Sequence, residues 1–168
     1  FKIPYFNYFD FIFKGKYFHT GKQNIRKTYG YIGNICFQLE MLIDQDDFHI
    51  HKKCFYLGDS SNYNIRNWSD NIAELSGSKK IKTLPKNLVF IISLLGSILN
   101  IFKIDFPLTL FRYKNMNTNN IIDLGPIIKL SSPLPFDRET AIKKTIKWMR
   151  NMNKFNNYMM FIKLIKRN

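Results

Sequence analysis

Cysteine is scarce in this chain: there are two, Cys36 and Cys54, and they form no CxxC pair. Neither a disulfide framework nor a cysteine zinc site is implied, and a reducing, cytoplasmic setting is expected. Acidic side chains are scarce too. Twelve Asp and Glu stand against 26 Lys and Arg, a net charge of +14. The deficit is uneven: residues 1–84 carry 12 basic and 8 acidic side chains, residues 85–168 carry 14 and 4. Such a balance favours an anionic partner, whether nucleic acid, a membrane surface or a phosphorylated ligand. No secretory leader is expected, because Lys2, Asp10 and Lys14 interrupt the aromatic N-terminus. Residue 1 is Phe, and we expect the sequence to be a piece of a longer chain. The one extended apolar run, 87–102, contains Ser93, Gly96, Ser97 and Asn100. It falls short of the roughly 20 apolar residues of a membrane span, so a buried helix entered through Pro85 is expected, with no stable membrane insertion.

What is present is core-forming material. Of 168 residues, 45% are hydrophobic and 16% aromatic, enough for one domain with a packed interior. The stretch from Phe106 to Asp123 organises the rest. Pro107 fixes its entry, Thr109 is placed to cap a short helix, and Leu110, Phe111 and Tyr113 supply apolar anchors. Between them stands Arg112. It reads either as an ordinary surface arginine or as a fork held ready for phosphate or carboxylate.

The elements alternate. Tyr5 to Phe13 reads as an aromatic helix stopped by Gly15, and 16–19 and 26–31 as short strands. A helix opens at Gly33-Asn34 with Ile35, Leu39, Leu42 and Ile43 at helical spacing, and Cys54 to Leu57 reads as a buried strand. A clear amphipathic helix follows over 65–75, with Ile65, Trp68, Ile72 and Leu75 inward and Gly77 as its stop. Lys80 to Leu84 is a short strand, Ser131 to Pro135 a rigid loop, and Asp137 caps a last helix containing Ala141, Ile142, Ile146 and Met149. Alternating strands and helices define an α/β architecture.

Other constellations are weaker. His49, His51 and Cys54 suggest a metal corner but lack a fourth ligand at sensible spacing. Asp44, Asp46 and Asp47 lack the glycine and terminal Glu of a calcium loop. The aromatics fall at core spacing rather than as a nucleic-acid stacking surface. The basic tail, with Phe155, Phe161 and Ile165 on its apolar side, reads either as a solvated helix or as a segment lying on an anionic membrane.

Four stretches, in this order, resemble the C-terminal half of an extended short-chain dehydrogenase/reductase of the nucleotide-sugar epimerase/dehydratase type. They are Arg26 to Asn34; Phe55 to Asp59 with Tyr63 to Trp68; Pro85 and its apolar helix running into Arg112; and Pro133 to Phe136 with the helix to Trp148. The resemblance implies the C-terminal part of a doubly wound Rossmann-type domain plus a small α+β substrate-binding lobe over 1–151, followed by a basic helix or tail over 152–168. It implies a nucleotide-sugar substrate whose diphosphate is met by Lys27, with Arg26 beside it, and by Arg112. NAD or NADP is the implied cofactor, bound mainly outside this sequence, and a homodimer of the full-length enzyme is an open option. Lys27 stands where the family more often has arginine, so its contact is monodentate.

Two family signatures are absent. No GxxGxxG or GxGxxG occurs to bring backbone against a dinucleotide pyrophosphate, and no tyrosine is followed four residues on by lysine. These residues alone are therefore expected to be catalytically inactive, a substrate-binding portion of a longer enzyme. The rival expectation is a small basic membrane- or RNA-binding protein without enzymatic activity.

Overall fold

The computed structural model describes residues 6–46, 50–59 and 62–165. Helix α1 (Phe6–Phe13) ends where Gly15 takes a positive φ, and the chain turns directly into strand β1 (Phe18–Thr20). Strand β2 (Arg26–Lys27) and helix α2 (Ile32–Ile43) follow. Strand β3 (Tyr63–Asn64) runs straight into helix α3 (Ile65–Ser76), and β4 (Lys82–Leu84) precedes α4 (Lys86–Ile101). Three helices complete the order: α5 (Leu110–Met116), α6 (Gly125–Ser131) and α7 (Arg138–Ile165).

The protein is mixed α/β, with seven helices among the described residues and two small sheets. In one sheet β1 and β4 pair in parallel, Phe18 opposite Lys82. Parallel neighbours require a long crossover, supplied here by everything from β2 to α3. In the other, β2 and β3 pair antiparallel with Lys27 opposite Tyr63, and Asn120 adds a bridge to Lys27.

Helix α3 is the hub of the core, and its sequence explains why. The side chain of Asn64 caps its start by accepting from the Asn67 amide at 3.2 Å, and Gly77 ends it in the left-handed conformation. Such a C-terminal residue is nearly free of strain only as glycine. Trp68, Ile72 and Ala73 face inward, where they meet Phe9 and Ile12 of α1 and Ile142, Ile146 and Met149 of α7. Tyr8 stacks on Trp68 with ring centroids 5.2 Å apart, and its hydroxyl shares a 2.6 Å hydrogen bond with Ser69. Burial raises the Tyr8 pKa well above its ordinary value. Asp137 caps α7 as expected, accepting from the Thr140 amide at 2.7 Å. The helix then runs unbroken across the 151/152 boundary.

Three expectations are corrected. Cys54 to Leu57 is not a buried strand: the segment is irregular, and Cys54 and Tyr56 are exposed. In α2 the inward residues are Asn34 and Gln38, while Leu39 and Ile43 are exposed. The apolar run 87–102 is a helix but not a buried one; only Val89, Ser93 and Gly96 of α4 are covered. Helix α6 was not foreseen. Its seven residues start from Gly125-Pro126, a pair that by itself reads as a turn.

Candidate functional site

Lys27 reaches its position through strand geometry. On a strand, successive side chains leave on opposite faces, so Arg26 and Lys27 cannot both look the same way. Lys27 is half-buried and Arg26 is exposed. The Lys27 ammonium donates to the carbonyl oxygen of Asn115 at 2.7 Å. That carbonyl lies in the last turn of α5, where free carbonyls and the negative end of the helix dipole attract a cation. The loop after α5 is tied down next to it: the Thr28 amide donates to Asn120 O at 2.8 Å and the Asn120 amide to Arg26 O at 3.0 Å.

Arg112 arrives from the same helix. Thr109 caps α5 through the Arg112 amide at 3.4 Å. Residues three apart on a helix are neighbours on its surface, so Arg112 and Asn115 share a side of α5. Gripping the Asn115 carbonyl therefore anchors the Lys27 ammonium on the helix that carries Arg112. The two cations come from distant parts of the chain, and both line one cavity of about 770 Å³.

The cavity lies between α1, β1, β2 and α5. Lys16 and Arg66 join Lys27 and Arg112 in its lining, with Tyr8, Phe11 and Tyr17 among the aromatic walls. Among the described residues lining it none is Asp or Glu. Four cations without a carboxylate focus a positive potential inside low-dielectric walls, the electrostatics of an anion site. The cations differ in freedom. Arg66 is engaged with Thr83 Oγ1 at 3.0 Å and with the Gly21 carbonyl. Lys27 is held on Asn115, and the ammonium's loss of solvent lowers its pKa. Arg112 is exposed and keeps its fork available.

His19 also lines the cavity, buried on β1, with Nε2 2.9 Å from Asp70 Oδ1. Burial lowers its pKa, and the Asp70 contact partly offsets that. Sequence reasoning named Lys27 and Arg112 but missed Lys16, His19 and Arg66. His19 is the middle residue of a strand of only three and Lys16 lies just before it, too short a strand for alternation to show which side chains line a cavity. Arg26, the third residue named, does not line the cavity.

Among the described residues no group of three or more His, Cys, Asp and Glu is placed to hold a metal ion. His49 of the suggested corner lies outside the described residues; His51 and Cys54 are exposed. A Cβ at Gly30 would meet the Ile35 side chain at 2.5 Å, and one at Gly33 would meet Phe136 at 2.7 Å, so both positions are close-packed on the side where a side chain would stand. No family model matches the chain, and no curated protein or solved structure matches it.

Proposed function

We propose that this chain holds the diphosphate of a nucleotide sugar in the cavity between α1, β2 and α5. It would do so as the substrate-binding portion of an NAD(P)-dependent epimerase or dehydratase resembling the extended short-chain dehydrogenase/reductases. In this reading the parallel pair β1–β4 is the tail end of a doubly wound sheet, and α5 with its flanking loops belongs to the substrate lobe. NAD(P) would be bound by residues outside this sequence, since no GxGxxG or GxxGxxG turn occurs within it. No catalytic step is assigned to the 168 residues themselves.

One observation carries the proposal: Lys27 and Arg112 line a single cavity with no carboxylate among the described residues of its wall. A diphosphate spreads charge over several oxygens, so a lysine point charge and an arginine fork have complementary uses. The lysine neutralises, and the arginine orients by paired hydrogen bonds. The volume falls within the range of small-molecule pockets, and the aromatic wall suits the flat, less polar parts of a nucleotide.

The test is calorimetric titration of the chain with UDP-sugars, and with inorganic pyrophosphate as the minimal probe. Arg112 is exposed in the free chain, so Arg112→Ala is expected to weaken binding by about 2–5 kcal/mol only where the bound diphosphate desolvates the pair, and by less where water still reaches it. Undiminished binding by the variant would return Arg112 to the solvated surface.

A further inference from the structure

Helix α4 is built inside out. Its covered side carries the small residues Val89, Ser93 and Gly96. That side packs on the segment leading into α5, where the Leu110 amide donates to Ser97 Oγ at 2.8 Å and the Phe106 amide to Asn100 Oδ1 at 3.0 Å. The opposite side carries the large apolar residues. Leu88, Ile91, Leu95, Ile98 and Phe102 form one exposed stripe, with Ile91 at 54% and Phe102 at 71% exposure. Phe90, Leu94 and Ile101 widen it on one flank, and all three are exposed. Phe90 meets the Tyr113 ring edge-on at 5.5 Å between centroids, while the five residues of the stripe itself are 44–71% exposed. A contiguous apolar surface of this extent marks an interaction site.

We infer that this face of α4 lies in the interface of an anionic lipid bilayer, held parallel to the surface, with the lysines around it on the lipid headgroups. Three features select a lipid surface over a partner helix. A helix–helix seam is narrow and bordered by charged positions, whereas here the border of the stripe is itself apolar. No charge of either sign occurs between Lys86 and Lys103. The neighbouring sequence is cationic: between the exposed Glu74 and Asp105 the chain has Lys79, Lys80, Lys82, Lys86 and Lys103 and no Asp or Glu, and Lys86 and Lys103 bracket the apolar run itself. All five lysines are exposed. Apolar area combined with cations is what an interfacial helix uses on acidic lipid. Spanning is ruled out by length. Sixteen residues rise about 24 Å, less than a hydrocarbon core, and no described helix is long and apolar enough to cross a membrane. The inference is independent of the nucleotide-sugar reading.

The experiment is co-sedimentation of the 168-residue chain with phosphatidylcholine vesicles, with and without phosphatidylserine. Wild type is expected to partition strongly only onto the phosphatidylserine vesicles. The double variant Ile91→Glu/Leu95→Glu should lower that partitioning by tenfold or more. Both side chains are exposed, so circular dichroism should be unchanged. Lys79→Gln/Lys80→Gln/Lys82→Gln should lower it by about fivefold per lysine on anionic vesicles alone. A Phe102→Trp chain should show blue-shifted fluorescence that brominated acyl chains quench, which reports insertion directly. Absence of vesicle binding by the folded wild type would overturn the inference. So would binding lost with the lysines but indifferent to Ile91→Glu/Leu95→Glu. Self-association abolished by that double variant, with vesicle binding unaffected, would assign the face to a second copy instead.

Discussion

Lys27 is where burial and charge conflict. Its ammonium keeps one carbonyl partner, Asn115 O at 2.7 Å, and burial lowers its pKa from the ordinary 10.5. A group whose folded pKa lies below its unfolded one holds its proton less tightly in the folded protein. Its charged form therefore costs stability, and that cost is relieved as pH rises through the lowered pKa towards 10.5. A bound diphosphate does the reverse, favouring the ammonium and drawing the pKa back up. Affinity for pyrophosphate should then be highest below the lowered pKa and decline as pH rises through it, with proton uptake on binding in that window. Calorimetry in two buffers of different ionisation enthalpy measures the uptake. Lys27→Arg should abolish the decline, because arginine does not titrate there. In Lys27→Met, binding should fall while the melting temperature holds or rises, since methionine keeps the stem and drops the desolvated charge. A variant that lost binding and melting temperature together would mark Lys27 as a structural residue, not a ligand contact.

At the scale of elements, α4 and α5 depend on one glycine. A Cβ at Gly96 would collide with the Leu108 carbonyl oxygen and the Phe106 ring. Alanine is the better helix former by about 1 kcal/mol, but a backbone carbonyl cannot swing aside as a flexible side chain can. Overpacking costs about 1–3 kcal/mol, a net loss of about 0–2 kcal/mol after the helix gain, so Gly96→Ala should lower the melting temperature by up to about 8 °C for a chain of this length. Weaker diphosphate binding should accompany the loss, because Leu108 and Arg112 both line the cavity. No change in either readout would mean that the segment entering α5 is free to shift. The same region shows what the sequence discloses and what it does not. The Thr109 cap, the Gly77 stop and the inward face of α3 were legible because each is a local rule acting within a few residues. That α4 turns its bulk outward was not, because periodicity locates a face without saying what meets it. Arg112 could be named from order along the chain, whereas Lys16 and Arg66 became site residues only through pairing with distant segments.

The molecule as a whole is joined through a carboxylate that no local pattern announced. Asp59 is buried, and it accepts from the Tyr31 amide at 3.1 Å, from Asn34 Nδ2 at 2.8 Å and from the Tyr63 hydroxyl. Asn34 passes the connection on: its amide donates to Phe136 O at 2.9 Å and its oxygen accepts from the Phe136 amide at 3.1 Å. Gln38 clasps Gly58 in the same reciprocal way, at 2.7 and 3.0 Å. Tyr63 lies beneath the Arg138 guanidinium, 4.4 Å from its ring centroid. One polar cluster thus fastens the start of α2, the loop before β3 and the entry of α7. It accounts for polar Asn34 and Gln38, rather than the expected Ile35, Leu39, Leu42 and Ile43, being the buried residues of α2. Buried donors that lose an acceptor cost about 1–3 kcal/mol each. Asp59→Ala strands three of them, so a loss of about 3 kcal/mol or more in urea unfolding is expected. Asn34→Leu restores the apolar pattern of the helix yet removes both links to Phe136, and it should destabilise as well. A neutral or stabilising Asn34→Leu would show that packing alone fixes α2 against α7. A clear loss would show that the polar clasp selects this arrangement over the apolar one that the spacing of Ile35, Leu39, Leu42 and Ile43 favours.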